Sequence, residues 1–517
     1  MSRFLTNYAL QFAAQTRRFI SSDRFFYATV LLFIIEAGWI ALTAVYPQAF
    51  DEQYHLGIIK IYAHQWSPFL AHQPAGADVY GAVTRDPSYM YHYLLSFPYR
   101  LIAHYTHNVQ LMVICLRFIS VGLLVSALIV YRRLLSSLPM SKALAHVVLL
   151  FFVLIPVVPL LGAQINYDNA LLWLVGLSLL WTLQLLRIIR DEHQLPLALT
   201  LKLLAVCLFA SLVKYAFLPF FVMIVLLCFI QIFRSRAYTN KRLRRSLMRL
   251  RSGQAIILSA VVTLLLGLFV AMYGVNVLRY HTPVPDCSAV MGKTACLKYP
   301  PWARNYQFAQ THPQISATRM VRYPATWVNQ SVRELTFAIT SRFEDDGVTV
   351  DYFVGEPLPI MRIVAWTVLA VGSLLSIMFI RRLWRDVAMR TLIIVSIVYA
   401  AALFVQNFAD FLETGQPVAV HGRYLLPILP LLLAIIARCS VWAIQQQKAS
   451  VRQALYASQL WLVVLSVVIL VQGSGLITYL VRSDTDWLWP QDRGIHKVNH
   501  AAKKALHPVV VGSSPAE

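Results

Sequence analysis

The sequence predicts an all-α polytopic membrane protein: a bundle of about eleven transmembrane helices with a long first outer loop and a small outer-loop domain. Three observations predict it. The 517-residue chain is 58% apolar and only 13% charged, too apolar for a soluble protein of this size. Several apolar runs reach or exceed the roughly 20 residues a helix needs to cross hydrocarbon. The formal net charge of +22 is concentrated in short loops between those runs, the pattern of cytoplasmic loops. A basic footprint for DNA or RNA would need a soluble face, so the charge does not point to a nucleic-acid partner.

The first apolar run, about 25–46, follows Arg17, Arg18 and Arg24 and has no small-residue cleavage motif after it. It reads as a first transmembrane helix that starts in the cytoplasm, not as a cleaved signal. An outer loop, 47–108, comes next, then runs at about 109–131, 143–163 and 169–186. The stretch 197–233 is too long for one crossing and reads as two short helices hinged near Lys214, Tyr215 and Pro219. Further runs lie at about 254–278, 360–380, 389–408, 423–441 and 455–480. One assignment puts every basic cluster inside: Arg132 and Arg133, Arg187 and Arg190, the eight charges from Arg234 to Arg251, and Arg381, Arg382 and Arg385. It divides the chain into an N-terminal membrane module (1–278), an outer loop domain (279–359), a C-terminal membrane module (360–480) and an outer tail (481–517) that is polar and partly disordered near its end. The N-terminus is then cytoplasmic and the C-terminus periplasmic. No short-period repeat argues for a solenoid, and no matched pair of broken helices argues for an inverted-repeat transporter.

Cys115, Cys207, Cys228 and Cys439 lie in or at the ends of apolar runs and read as core residues. Cys287 and Cys296 share one outer loop, where an oxidising compartment permits a disulfide. There is no CxxC or Cys/His zinc spacing.

The candidate chemistry begins at Asp51 and Glu52, just beyond the first run, in YPQAFDEQYHLGIIKIYAHQW. Carboxylates beside hydrocarbon are costly and tend to mark function. The apolar and aromatic spacing of Tyr54, Ile58, Ile61 and Tyr62 predicts a helix lying at the interface. On it the two acids point about 100° apart, so they have different jobs. His55 can face either, and Asp51, Glu52 and His55 could hold a divalent cation such as Mg or Mn, or form a base and its orienter. The alternative is a helix N-cap, which needs only one acid. Asp86, before a second aromatic helix from about Ser88, reads as that helix's cap or as a third carboxylate of the site. The histidines His55, His64, His72 and His92 form no known ligand motif and mostly read as interfacial hydrogen-bonding groups.

Three further segments stand at the same membrane face. GAQINYDNALLW places Asn166, Asp168 and Asn169 at a hairpin end, where a polar turn is the plainer reading. LVKYAFLP places Lys214 at the hinge, to meet an anionic phosphate or to snorkel to headgroups. AVHGRYLLPILPLL places Arg423 at the membrane mouth beside His421 and Tyr424, and arginine suits bidentate phosphate contact. The 279–359 loop, with its arginines and aromatics, either covers the site or forms a packed domain of its own.

Taken together and in this order, DEQYH, INYDNALL, LVKYAFLP and HGRYLLPILP resemble the GT-C class of membrane glycosyltransferases, and within it an uncharacterised bacterial family of membrane proteins grouped with that class. The resemblance covers most of the membrane region but not the 279–359 loop. It implies a GT-C-like bundle in the bacterial inner membrane. It also implies transfer of a sugar from a polyprenyl-phosphate donor to an acceptor glycan, lipid or protein of the cell envelope, usually with inversion. An acid of the first outer loop, here Asp51 or Glu52, would stand at the reacting centre, and Arg423 with Lys214 would hold the carrier phosphate. Two other functions compete. A flippase or transporter of lipid-linked sugars calls for ionisable residues buried mid-span, whereas most charges here sit at span ends. An envelope glycan ligase or polymerase uses a similar arginine-rich outer loop but has no need of the early acidic pair.

Overall fold

The computed structural model describes residues 14–48, 51–235, 253–311, 315–336, 340–343, 350–353, 358–447, 459–482 and 494–511. Most of the basic run from Arg234 to Arg251, with its predicted cytoplasmic placement, lies outside the described residues. The described residues form an all-α multi-helix protein apart from one antiparallel pair of strands, β1 (Thr340–Phe343) and β2 (Val350–Phe353), with Thr340 opposite Phe353.

The first half comprises α1 (Asp23–Thr43), α2 (Glu52–Ala63), α3 (Met90–Tyr105), α4 (Val109–Ser136), α5 (Lys142–Val153), α6 (Val157–Gly162), α7 (Tyr167–Glu192), α8 (Leu197–Val213), α9 (Leu218–Ser235) and α10 (Gly253–Phe269), which continues through a wide turn to Tyr280. The 279–359 region holds α11 (Cys287–Met291), α12 (Lys293–Cys296), α13 (Pro300–Thr311), α14 (Ala317–Thr336) and the strand pair. The remainder is α15 (Pro359–Met378), α16 (Ile380–Arg385), α17 (Val387–Thr414), α18 (Leu429–Gln445), α19 (Gln459–Gly473), α20 (Gly475–Arg482) and α21 (Ile495–Val511).

Several helices begin where side-chain caps stand. Ser22, Asn108, Ser141, Asn166 and Asp386 each accept a hydrogen bond from a backbone N–H of the first turn that follows. Among the described residues, seven helices are long and apolar enough to cross a membrane: Asp23–Thr43, Val109–Ser136, Tyr167–Glu192, Tyr215–Ser235, Ala255–Tyr280, Pro359–Met378 and Val387–Thr414. Shorter apolar helices occupy Lys142–Val153, Leu197–Val213, Leu429–Gln445 and Leu465–Val481. Every apolar run read from the sequence coincides with one of these, but only seven have crossing length, so the count of eleven crossings does not follow from helix length.

α4 and α7 pack along each other at the centre of the bundle, with α1, α8 and α9 around them. Leu116, Leu124, Leu128, Leu171, Val175 and Leu179 are buried between them. α9, α10 and α15 leave apolar faces outside, among them Val222, Phe233, Leu264 and Ile377. Lipid is the solvent such faces fit.

Three runs depart from unbroken helices. The run 143–163 breaks after Val153, and Pro156 precedes a separate short helix. The hinge expected near Lys214 is present: Lys214 is extended, with φ −153° and ψ 125°, and a short turn, Tyr215–Phe217, follows. The run expected to be helical from 423 instead opens with a tight turn, Gly422–Leu425, and the helix starts only at Leu429. Pro427 has no N–H to give a helical ladder there, while Pro430 fits a first turn. The non-helical backbone is satisfied individually. Tyr131 donates to the Pro427 carbonyl at 2.8 Å, Tyr399 donates to the Tyr424 carbonyl at 2.9 Å, and the Gly422 N–H donates to Glu334 at 2.9 Å.

α14 seats directly on that turn. A Cβ on Gly422 would lie 2.3 Å from the Ser331 carbonyl oxygen and 2.8 Å from the Leu335 nitrogen, both backbone atoms that cannot step aside. Within the tail α21 docks on α1 and α20, and the Trp39 indole N–H donates to Asn499 at 2.6 Å; the end of the tail, where disorder was expected, lies outside the described residues.

Because α14 is pressed against Gly422, Gly422→Ala should destabilise the protein by about 1–3 kcal/mol, as overpacking does. Thermal unfolding in detergent should show a lowered midpoint, and an unchanged midpoint would contradict the described contact.

Candidate active site

The two adjacent acids separate completely. Glu52 opens α2 and is fully buried against Arg117, which projects from α4 and is also fully buried. Arg117 Nε donates to Glu52 Oε1 at 2.8 Å and Nη2 donates to Oε2 at 2.7 Å, a bidentate pair. Its remaining N–H groups donate to the carbonyls of Ala41 at 3.2 Å, Ala44 at 2.6 Å and Val45 at 2.9 Å. These bonds use all five guanidinium donors. Glu52 also accepts from the backbone N–H of Gln48 at 2.9 Å and of Ile165 at 3.2 Å. The pair therefore ties together the end of α1, the start of α2, α4 and the segment before α7. It is a structural clamp with no capacity left for a ligand.

Asp51 faces the other way. It holds the N-cap position of α2 but makes no side-chain capping bond, so the cap reading does not hold. Its backbone is left-handed, φ 67° and ψ 24°, a conformation that aspartate tolerates better than most residues. This turn sends the carboxyl away from Glu52 to accept a 2.5 Å hydrogen bond from Arg423 Nη2. The Asp51 side chain is 44% exposed, the Arg423 side chain 4%. Burial opposes ionisation of Asp51, but the Arg423 guanidinium, aided by His421 and Lys214, outweighs it and holds the carboxyl below the usual carboxylate range.

A second acid–cation pair stands beside the first. Lys214, at the extended hinge, is buried and donates to Asp168 Oδ1 at 2.5 Å, so it does not snorkel to headgroups. Its ammonium lies 4.4 Å from the Tyr167 ring centroid and 4.6 Å from that of Tyr424. The Arg423 guanidinium stands 5.1 Å from the Tyr424 ring. Tyr424 thus lies between the two cations. The other oxygen of Asp168 is buried with no hydrogen-bond partner. The polar-turn reading holds for Asn166, which caps α7, and for Asn169, whose amide donates to the carbonyls of Leu161 and Gln164.

His55 points away from Asp51, toward α3. His92 Nδ1 lies 3.1 Å from the Ser88 carbonyl, which can only accept, so His92 carries its proton on Nδ1 and its Nε2 accepts from His55 Nδ1 at 2.8 Å. His55 Nε2 is then a buried lone pair without a hydrogen-bond partner. Burial, then the neighbouring His92 and the site cations, holds His55 well below the usual histidine range, and burial pushes His92 down to about 3. Both are neutral at physiological pH. Asp86 accepts from the Ser88 N–H at 2.9 Å and from the Tyr54 hydroxyl at 3.2 Å, a turn ahead of α3. Burial raises its pKa against those hydrogen bonds. His421 Nδ1 lies 3.1 Å from Glu334 of α14.

Asp51, Asp168, Lys214, Arg423 and Tyr424 therefore form one constellation, with His421 at its edge. Glu52, His55 and Asp86 form its support. The Asp51, Glu52 and His55 metal set does not assemble, because Glu52 is spent on Arg117. Among the described residues no group of three His, Cys, Asp or Glu side chains could hold a metal ion.

Sequence reasoning missed Arg117 and Glu334. Arg117 had a signal, a lone arginine inside LMVICLRFISV; Glu334 had none. Two charges are exceptions to the expectation that most sit at span ends. Glu36 is buried within α1, beside Ser474 at the break between α19 and α20, and Arg117 is buried within α4.

No protein-family model matches the chain, and no curated protein matches it. Among solved structures, the crystal structure of ArnT from Cupriavidus metallidurans bound to undecaprenyl phosphate is similar, with a TM-score of 0.39 and 13% identity over 93% of this chain and 74% of that one. A likeness at that level carries no argument about function.

Breaking the clamp should be costly. Glu52→Ala or Arg117→Ala leaves a buried charge unpaired, and either should lose about 3–5 kcal/mol in reversible unfolding or fail to accumulate as folded protein. Asp51→Asn should behave differently. The depressed pKa of Asp51 contributes stability above the unfolded value of about 3.9, lost as pH falls through the folded value. Thermal midpoints measured against pH should lose part of their acid-side slope in Asp51→Asn, because its neutral-pH midpoint falls toward the value wild type shows in acid, by less than in the clamp variants.

Proposed function

We propose that this protein is a membrane glycosyltransferase that moves a sugar from a polyprenyl-phosphate-linked donor to a cell-envelope acceptor at the outer face of the bacterial inner membrane. The observation that carries the reading is the Asp51–Arg423 pair: a half-exposed first-loop carboxylate 2.5 Å from a buried guanidinium, with a buried lysine against the same tyrosine ring. Glycosyl transfer from a lipid phosphate needs a base for the incoming hydroxyl and positive charge for the departing phosphate.

In the proposed reaction the acceptor hydroxyl oxygen attacks the anomeric carbon as the bond from that carbon to the phosphate oxygen breaks. The hydroxyl proton passes to Asp51. The electron pair leaves with the polyprenyl phosphate, whose negative charge Arg423 and Lys214 receive. Attack opposite the leaving group inverts the anomeric centre. Before substrate binds, Asp51 and Asp168 neutralise the two cations. Donor phosphate oxygens would compete for Arg423, and a carboxylate that gives up its arginine regains basicity. The base is thus competent once the donor is in place.

Sidedness has separate support. Cys287 and Cys296 are joined in a disulfide, a bond that persists in oxidising compartments. The same segment touches the first loop: Lys298 pairs with Asp78 at 3.1 Å, and the Tyr299 ring packs on Gly81 and lies 6.3 Å from that of Tyr54. Both regions therefore stand on one side of the membrane.

Glu36, a buried acid within α1, favours the competing reading of a flippase for lipid-linked sugars. Purified full-length protein supplied with a polyprenyl-phosphate sugar and cell-envelope glycan or lipid acceptors separates the two. A new glycosidic bond is expected. Arg423→Gln should cut transfer by about 10²–10³ and weaken binding of polyprenyl phosphate. Donor movement across proteoliposomes with no new bond would defeat the enzyme reading.

A further inference from the structure

A cleft of about 380 Å3 opens between the 279–359 region and the end of α17. It belongs neither to the acid–cation constellation nor to the clamp. Its volume falls in the roughly 300–1,000 Å3 range of small-molecule sites. Three separate segments build it. Asp286 and Lys293 come from the disulfide-closed loop around α11 and α12. Trp302 and Tyr306 come from successive turns of α13. Asp410 and Glu413 come from the last turns of α17.

The chemistry of the lining is specific. Trp302 and Tyr306 are half-buried and stack nearly parallel, 7° between planes and 5.2 Å between centroids. The Trp302 indole N–H donates to Asp286 at 3.0 Å, which fixes the ring. Asp286 is itself held by the Ser288 N–H at 2.8 Å. Lys293 donates to the Tyr306 hydroxyl, with its ammonium 4.3 Å from that ring's centroid. The Asp410 and Glu413 carboxylates face this aromatic pair across the cleft.

This lining excludes several ligand classes. A lipid tail would take three carboxylates and an ammonium out of water and offer them no polar contact in return. A phosphate or nucleotide would be repelled by three carboxylates against one lysine. A neutral saccharide fits both halves. Its C–H face packs on the electron-rich faces of aromatic rings, and its hydroxyls donate to carboxylates and accept from an ammonium.

The cleft also adjoins the candidate centre. α13 begins one residue after Tyr299, which packs against Tyr54 three residues from Asp51. At 1.5 Å per residue, Trp302 lies roughly 5 Å and Tyr306 roughly 10 Å along the chain axis from Tyr299. The opposite wall, at Asp410 and Glu413, runs into the 415–422 connection that ends at Arg423.

From this we infer that the cleft is a saccharide-binding subsite that holds a sugar unit of the acceptor, and that the acceptor of the proposed transferase is therefore a glycan or glycolipid. The assignment of the bound sugar to the acceptor rests on the glycosyltransferase reading; the binding of a neutral saccharide does not.

The test uses full-length protein in detergent and the methyl glycosides of glucose, galactose, mannose and N-acetylglucosamine. In saturation-transfer NMR at least one glycoside should receive magnetisation, concentrated on the C–H protons of one ring face. Trp302→Ala should weaken that binding about tenfold or more. Glu413→Gln, at an exposed position that tolerates substitution, should weaken it with the thermal midpoint unchanged, and it decides the matter if Trp302→Ala does not fold. Asp51→Asn should leave sugar binding unaltered. In the transfer assay Trp302→Ala should raise the acceptor KM with little change in kcat. No binding by wild type, or binding that survives both cleft substitutions, overturns the proposal. Sugar binding without any transfer would sustain the cleft and defeat the enzyme reading. Transfer with an unchanged acceptor KM in Trp302→Ala would defeat the cleft and leave the enzyme reading intact.

Discussion

The buried pair between Glu52 and Arg117 is the constraint on which the site depends. A carboxylate and a guanidinium with no exposure are stable only when every lone pair and donor is engaged, and here all are. The three carbonyls that Arg117 takes belong to the end of α1, and the two N–H groups that Glu52 takes belong to the residues before α2 and before α7. One ion pair thus fixes where the chain leaves the first span, where the interfacial helix starts and where the next hairpin ends. Asp51 is set by its neighbour: with Glu52 locked inward and the backbone left-handed, the Asp51 carboxyl must point to the opposite side.

From that constraint follows an arrangement in which each cation rests on its own acid. Asp51 neutralises Arg423, and Asp168 neutralises Lys214. Two buried cations without counter-ions would be expensive to hold in place, and two pairs sharing the Tyr424 ring keep them preorganised at modest cost. The same arrangement links binding to chemistry. An anionic ligand must take an arginine or lysine from a carboxylate, and the released carboxylate is then a better proton acceptor.

Much of this was legible in the sequence. The apolar runs marked the long apolar helices, and loop charge separated them; the helices of the 279–359 region and of the tail carried no such mark. The residues Asp51, Asp168, Lys214, Arg423 and Tyr424 were singled out from four separate segments, and the fold brings them together. The illegible part lay in pairings across the sequence. Nothing local distinguishes Asp51 from Glu52, because their difference is created by Arg117, 65 residues away from Glu52. The histidine at 55 looked free to serve either acid, but His92 on the neighbouring helix turns it aside. Proline punctuation at 427 carried a signal that the apolar run concealed, and the start of α18 was therefore expected too early. Glu334 lies in an amphipathic segment whose contact with the turn at Gly422 has no counterpart in local pattern.

The account makes the neighbouring acids unequal, one chemical and one structural, and this inequality is its most direct point of exposure. Transfer from a polyprenyl-phosphate sugar should be measured for Asp51→Asn and Glu52→Gln in preparations whose thermal midpoints are recorded alongside. Loss of a general base costs about 10²–10⁴ in rate, so Asp51→Asn should lose turnover by that order per folded molecule with only a modest fall in midpoint, and Glu52→Gln should lower the midpoint further, with any loss of activity following the loss of folded protein. Full turnover by folded Asp51→Asn would contradict the account.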